Sequence, residues 1–317
     1  MPRIFFATDI HGSDICWKKF IAASEFYQAN LLVLGGDMTG KALIPIIAEK
    51  EGLHTVDFQD NHLVLKSEEE TAKLEKKISG KGYYPIRVER SNYNDLHADS
   101  EKLAAWSSET FNKLMAERVT MWMNYADSKL KNSDVQCFVC PGNDDMFDID
   151  SSIQQSARVT NAEGKVLQVG GDYEMLSTGW STPTPWKTYR ECSEEELGKK
   201  IGAMTNQLKN PVKSIFNFHD PPVKSGLDDA PALTKDLDLK GGGRITNAVG
   251  SVAVREAIEK VQPMLGLHGH IHESKGITKI GRTICINPGS EYEEGTLMGA
   301  IADLEGGKLK RYLVTTG

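Results

Sequence analysis

The feature that most constrains this chain is a set of short apolar runs, each stopping abruptly at Gly, Asp, Asn or His. Residues 4–7 (IFFA) lead to Asp9 and His11, residues 31–34 (LLVL) to Gly35-Gly36-Asp37, and residues 135–139 (VQCFV) to Pro141-Gly142-Asn143-Asp144. Residues 214–218 (SIFNF) stop at His219, and residues 264–267 (MLGL) at His268-Gly269-His270-Ile271-His272. Such runs predict strands covered on both faces. Helical patterns lie between several of them. Residues 14–29 carry Trp17, Phe20, Ile21 and Phe26 at helical spacing, and residues 251–261 carry Val254, Ala257, Ile258 and Val261. Residues 193–208 open with Ser193 and Glu196, the spacing of a capping box. Strands alternating with helices predict an α/β fold, in which sites gather at the carboxyl ends of strands.

The stretch from about residue 52 to 132 breaks this rhythm. Residues 53–58 and 62–66, joined across Gln59-Asp60-Asn61, predict a β-hairpin. A charged helix starts at Ser67-Glu68-Glu69-Glu70, and residues 101–130 predict a long amphipathic helix with Leu103, Phe111, Leu114, Trp122 and Tyr125 near one stripe. We read one domain over residues 1–317, with 52–132 inserted beside the site. Residues 282–316 predict further strands and turns.

Composition narrows the function. The formal net charge of −7 argues against a broad electrostatic surface for nucleic acid or acidic membranes. It leaves room for a small anionic substrate, because bound cations reverse the local sign. The five cysteines are odd in number and scattered, which predicts no disulfide framework and a reducing, cytoplasmic setting. Cys137 and Cys140 form a C-x-x-C, but strand alternation would place them on opposite faces. The apolar run at the N-terminus is too short for a signal peptide or a membrane span.

Singly, each polar stop is a weak signal: D-x-H, G-G-D and G-N are ordinary turns, and a lone His219 has a structural reading. Their joint placement after strand-like runs is far more specific. Four of the eight histidines, His11, His219, His270 and His272, fall inside the set. His270 and His272, two apart on an extended segment, point to the same side. Imidazole nitrogen and carboxylate oxygen together suit borderline divalent metals.

Asp9-Ile10-His11, Gly35-Gly36-Asp37, Gly142-Asn143, His219 and Gly269-His270-Ile271-His272 resemble the signature of the calcineurin-like metallophosphoesterase superfamily, in particular its bacterial and archaeal phosphodiesterase-like members. The resemblance covers residues 4 to about 290, apart from the insertion. It implies a four-layer α/β/β/α sandwich of two mixed sheets with helices outside. It implies two divalent metal ions as cofactors: Mn²⁺ first, with Fe²⁺, Zn²⁺ or Ni²⁺ as alternatives. Asp9, His11, Asp37 and His272 would hold one, and Asp37, Asn143, His219 and His270 the other, with Asp37 bridging. Two divalent ions against two carboxylates leave a positive surplus for phosphate, and such ions lower the pKa of an attacking water. The implied reaction is hydrolysis of a phosphoric ester.

Many relatives read G-N-H-[DE] at the third block, whereas this chain has Asp144 after Asn143. An ionised aspartate cannot protonate a leaving group as a histidine does. It would also repel a phosphomonoester dianion more than a diester monoanion. We therefore expect a small phosphodiester substrate, a nucleotide-derived one among the options, and take Asp144 as a candidate catalytic position. Alternative readings of Asp144 are a cap for the next helix or a group that orients a ligand imidazole. Alternatives for the whole chain are a phosphomonoesterase or nuclease on the same centre, or a metal-binding scaffold without catalysis. Arg244, after Gly241-Gly242-Gly243, is a candidate phosphate contact, as is Gly250-Ser251 at a helix start. Asp220-Pro221-Pro222 would stiffen the His219 loop. Trp186, in Thr182-Pro183-Thr184-Pro185-Trp186, is a candidate for stacking on a base, and Asn287-Pro288-Gly289-Ser290 for a structural turn near the metals.

Overall fold

The computed structural model describes residues 1–40, 42–234 and 236–317. In chain order the strands are β1 (Arg3–Ala7), β2 (Leu31–Leu34), β3 (Leu43–Ala48), β4 (His54–Phe58), β5 (Asn61–Leu65), β6 (Tyr84–Glu89), β7 (Gln136–Val139), β8 (Val159–Asn161) and β9 (Lys165–Val169). They continue as β10 (Tyr173–Thr178), β11 (Ser214–Phe218), β12 (Asp229–Pro231), β13 (Thr246–Ala248), β14 (Leu265–Leu267), β15 (Gly276–Ile280), β16 (Thr283–Asn287), β17 (Met298–Glu305) and β18 (Lys308–Thr316). The helices are α1 (Asp14–Phe26), α2 (Glu68–Gly80), α3 (Arg90–His97), α4 (Ser100–Leu130), α5 (Ile149–Gln154), α6 (Glu194–Thr205) and α7 (Val252–Val261).

Two six-stranded sheets form the body, in the orders β18-β17-β1-β2-β7-β8 and β15-β16-β14-β11-β10-β9. Both are mixed: β1, β2, β7 and β8 run parallel, while β17 pairs antiparallel to β1. In the other, β10, β11, β14 and β16 run parallel, flanked by antiparallel β9 and β15. Side-chain alternation builds the layers. Ile4, Phe6, Leu31 and Val33 point inward and meet Met175, Ile215, Leu265 and Ile286 of the facing sheet. Phe5, Ala7, Leu32 and Leu34, one residue out of phase, pack on α1, α4 and α5 through Trp17, Phe20, Trp122 and Ile153. On the far side Leu176, Phe216 and Phe218 pack on α6 and α7 through Leu197, Ile201, Val254 and Ile258. This is the four-layer α/β/β/α sandwich implied by the resemblance, and it explains why the strand runs are apolar throughout: both faces are covered.

The inserted segment differs from the sequence reading in extent. It carries its own four-stranded sheet, in the order β5-β4-β3-β6, which opens at Leu43 and not near residue 52. The hairpin of β4 and β5 is where the pattern put it, turning through Gln59 and Asp60, both at positive φ. β3 and β6 pair in parallel across it. Each carries a proline, Pro45 and Pro85, which argues against a strand when read locally. Both are tolerated because β6 is an edge and β4 pairs only with Ile47 and Ala48 of β3. Ile46, Val56, Phe58, Leu74 and Ile78 form a small core between this sheet and α2. The long helix α4 belongs to the outer layer of the main sandwich: Met115, Val119, Trp122, Met123 and Ala126 are buried there. No described helix is long and apolar enough to cross a membrane.

Candidate metal centre

Each predicted ligand follows a parallel strand directly. Asp9 and His11 follow β1, Asp37 follows β2, Asn143 follows β7, His219 follows β11, and His270 and His272 follow β14. The strands of both sheets deliver these loops to one place. Ligand atoms of Asp9, His11 and His272 lie within 4.8 Å of one another, and so do those of Asp37, His219 and His270. A third such group joins His11, Asp37 and Asp144. Asp37 stands between the sets: its Oδ2 is 3.8 Å from His11 Nε2 and 3.3 Å from His219 Nε2.

The backbone at these residues is unusual. Asp9, His11, Asp37 and His270 all have positive φ, between 38° and 67°. Non-glycine residues adopt that region at a cost of order 1–3 kcal/mol each, and such strain gathers at functional sites. Tight packing explains the neighbouring glycines. A Cβ on Gly36 would fall inside the His219 ring, and one on Gly142 would strike Asp37.

Hydrogen bonds orient the ligands. His219 Nδ1 donates to the Gly35 carbonyl at 3.1 Å, which leaves Nε2 facing the carboxylates of Asp37 and Asp9 at 3.3 and 3.8 Å. The His270 backbone N–H donates to Asp9, and the Thr8 hydroxyl donates to Asp9 Oδ2 at 2.7 Å. Ser290 Oγ donates to the Asp9 carbonyl at 2.6 Å, and Asn287 Nδ2 donates to the Ile271 carbonyl at 2.9 Å. The Asn287–Ser290 turn therefore holds the Asp9 loop and the His270–His272 loop. Asn143 Nδ2 donates to Asp144 Oδ1 at 3.0 Å and to Thr188 Oγ1 at 2.9 Å, which aims the amide oxygen the other way.

Among the described residues the buried Asn143 Oδ1 has no hydrogen-bond partner. A buried amide oxygen left so is an acceptor open to a cation. The electrostatics agree with a cation site. Burial works against ionisation of Asp9 and Asp37, but neighbouring imidazoles, His219 foremost, outweigh it and hold both carboxyls below their ordinary range. Burial lowers His219 as well, yet Asp37 and Asp9 push it up to about 10. His270, without so close a carboxylate, is brought down to about 4 by burial and by the charge on His219. The residues present thus fit a pair of divalent cations.

Several residues around the site had no role in the sequence reading. Asp145 is fully buried and accepts from the backbone N–H groups of Met38, Thr39 and Gly142, tying the Asp37 loop to the Asn143 loop. Thr188 fixes the Asn143 amide and is itself fixed by Glu191 at 2.7 Å. Tyr292 packs on the rings of His11 and His272, at centroid distances of 4.8 and 6.1 Å.

The candidates outside the ligand set fall differently. Asp144 does not cap a helix, since α5 begins only at Ile149. Its Oδ2 lies 3.7 Å from His11 Nδ1, its backbone N–H donates to Asp37, and its side chain is 20% exposed. Asp220, fully buried, accepts from the N–H and hydroxyl of Thr182, which anchors the following loop. Arg244 is exposed, and among the described residues no hydrogen bond or ion pair joins its side chain to the cluster. The α7 N-terminus is not open to an anion: Glu194 already accepts from Val252, Ala253 and the Ser251 hydroxyl. All five cysteines are buried and free.

No family model matches the chain. An uncharacterized protein of Methanocaldococcus jannaschii, MJ1162, is 32% identical over 159 residues, which span 49% of this chain and 65% of that relative. Among solved structures, TT1561 of Thermus thermophilus is 14% identical, with 100% of this chain and 98% of that one covered at a TM-score of 0.52. The calcineurin-like phosphoesterase YfkN from Bacillus subtilis is 13% identical, with 99% and 90% covered at a TM-score of 0.40. With its two facing mixed sheets and the loops that their parallel strands bring together, the protein shares the overall fold of TT1561.

Proposed function

We propose that this chain is a dinuclear-metal-dependent phosphoesterase whose substrate is a small phosphodiester. The observation that carries the reading is the convergence of Asp9, His11 and His272 with Asp37, His219 and His270. Asn143 adds a buried amide oxygen without a hydrogen-bond partner among the described residues. In this reading Asp9, His11, Asp37 and His272 hold one cation. Asp37, Asn143, His219 and His270 hold the other. The position of Asp37 between two imidazoles suits a bridging carboxylate. Two divalent cations, when bound, supply Lewis-acid charge for the phosphoryl oxygens and an activated water. The protein holds this arrangement rigid through Thr188, Ser290, Asn287 and Asp145.

Asp144 supports the preference for diesters. It stands at the rim beside His11, partly open to solvent, where an ionised carboxylate supplies no proton and disfavours a dianion. The net charge of −7 makes a long nucleic acid the poorer substrate. The test compares initial rates on bis-p-nitrophenyl phosphate and p-nitrophenyl phosphate with Mn²⁺, and in parallel with Fe²⁺, Zn²⁺ and Ni²⁺. The diester should be faster by about tenfold, equivalent to ~1.4 kcal/mol. Asp144→His should raise the monoester rate. A clear monoester preference in the unmodified protein would reverse the assignment.

A further inference from the structure

The loop from Trp180 to Cys192, between β10 and α6, is built in an uncommon way. Its polar side chains are used inward. Thr182 is held by the buried Asp220, while Thr184 Oγ1 and Thr188 Oγ1 donate to Glu191 Oε1 at 2.6 and 2.7 Å. Its ends are tied together, Ser181 N–H to the Arg190 carbonyl and Cys192 N–H to the Ser181 carbonyl, both at 3.0 Å. Pro183 and Pro185 remove two more backbone freedoms. On this rigid frame two large aromatic side chains face solvent: Trp186 is 65% exposed and Tyr189 44%. No other ring stacks on either among the described residues. Loops held on a rigid scaffold are where binding residues concentrate.

The position of the frame says what would bind. Thr188 accepts from the Asn143 amide, and Arg190 N–H donates to the Asn143 carbonyl at 3.2 Å. Tyr189 therefore sits between two residues bonded to Asn143, at the edge of the candidate metal centre. We propose that Tyr189 and Trp186 form a stacking platform for the planar base of a small nucleotide-type phosphodiester whose phosphate lies at that centre. This rests on the phosphodiesterase reading for the phosphate, while the platform itself rests on the loop. Aromatic faces accept any base with little sequence preference. The acidic surface of the chain disfavours a long polyanion, so a mononucleotide ester or short dinucleotide is the class that fits.

The test is calorimetric titration of the Mn²⁺-reconstituted protein with adenosine 5′-methylphosphonate and with methyl methylphosphonate. Both are monoanions with the same phosphorus centre, and only the first carries a base. Base stacking is worth about 1–3 kcal/mol, so the adenosine ester should bind roughly 5- to 150-fold more tightly. That ratio should fall toward one in Trp186→Ala and Tyr189→Ala and be largely restored in Trp186→Phe. Both positions are surface-exposed, and an unchanged unfolding midpoint verifies the fold of each variant. Equal affinities for the two esters in the unmodified protein, or a ratio untouched by both alanine variants, would overturn the platform. Binding of a single-stranded thymidine 10-mer tenfold more tightly than the adenosine ester would overturn the small-ligand class. Turnover is read separately on bis-p-nitrophenyl phosphate: base-dependent binding without turnover retains the platform and removes the diesterase reading.

Discussion

Orientation decides whether Asn143 can serve as a ligand, because an amide presents a donor and an acceptor on one planar group. Thr188 resolves the choice by accepting from Nδ2, and Glu191 holds Thr188 in turn. Partial burial raises the Glu191 carboxyl, but hydrogen bonds from Thr184 and Thr188 outweigh it and lower it, so it stays an acceptor at neutral pH. Partners one bond behind a metal ligand typically change affinity or activity by 10–100-fold when lost. Thr188→Ala should therefore weaken metal binding by about tenfold or more, measured by competition with a chelator, and Thr188→Ser should restore most of it. Asp144 shows a similar economy: one side chain accepts from Asn143 and stands beside His11.

At the scale of elements, α4 has the most to explain. Its pattern was legible as a helix, but its place was not, because its first half lies over the inserted sheet and its second half in the main core. Trp122 marks the transition. Its ring stacks on Trp17 of α1 at 5.1 Å, its Nε1 donates to Asp14 at 2.6 Å, and its carbonyl accepts from Trp17 Nε1 at 3.1 Å. Truncating a buried aromatic of this kind costs about 3–5 kcal/mol. Trp122→Ala should show that loss in urea unfolding, while Trp106→Ala, toward the less buried start of α4, should cost clearly less. Arg118, on the same helix, donates to the Gly12 and Tyr83 carbonyls and so clamps the inserted segment to the loop that carries His11.

The whole molecule is two half-sandwiches whose candidate ligands come from both sides. Asp9, His11, Asp37 and Asn143 belong to one sheet, and His219, His270 and His272 to the other. Cations bound there would cross-link the halves. A ligand that binds only the native state stabilises it by about 2.7 kcal/mol at one hundred times its dissociation constant. Stripping divalent ions with EDTA should lower the thermal midpoint by several degrees, and Mn²⁺ in excess should restore it. Asp37→Asn should show a much smaller response. An identical midpoint with and without chelator would mean that the cluster holds no ion in the folded protein.

Much of this was readable from the chain alone. The apolar runs and their abrupt polar ends are local properties, set by side-chain alternation and by turns that need only a few neighbouring residues. They placed every strand that carries a candidate ligand, and the hairpin of β4 and β5. His270 and His272, by contrast, do not lie on the extended segment their spacing predicted, since His270 sits at φ 67°. Other features depend on residues distant in sequence. The parallel pairing of β3 with β6 is hidden locally by a proline in each. The closure of the α7 N-terminus by Glu194 joins residues 57 positions apart or more. The fixing of Asn143 by Thr188 spans 45. No local period encodes such contacts; they exist only once the two sheets have packed, because burial creates the unpaired polar groups that these partners must satisfy.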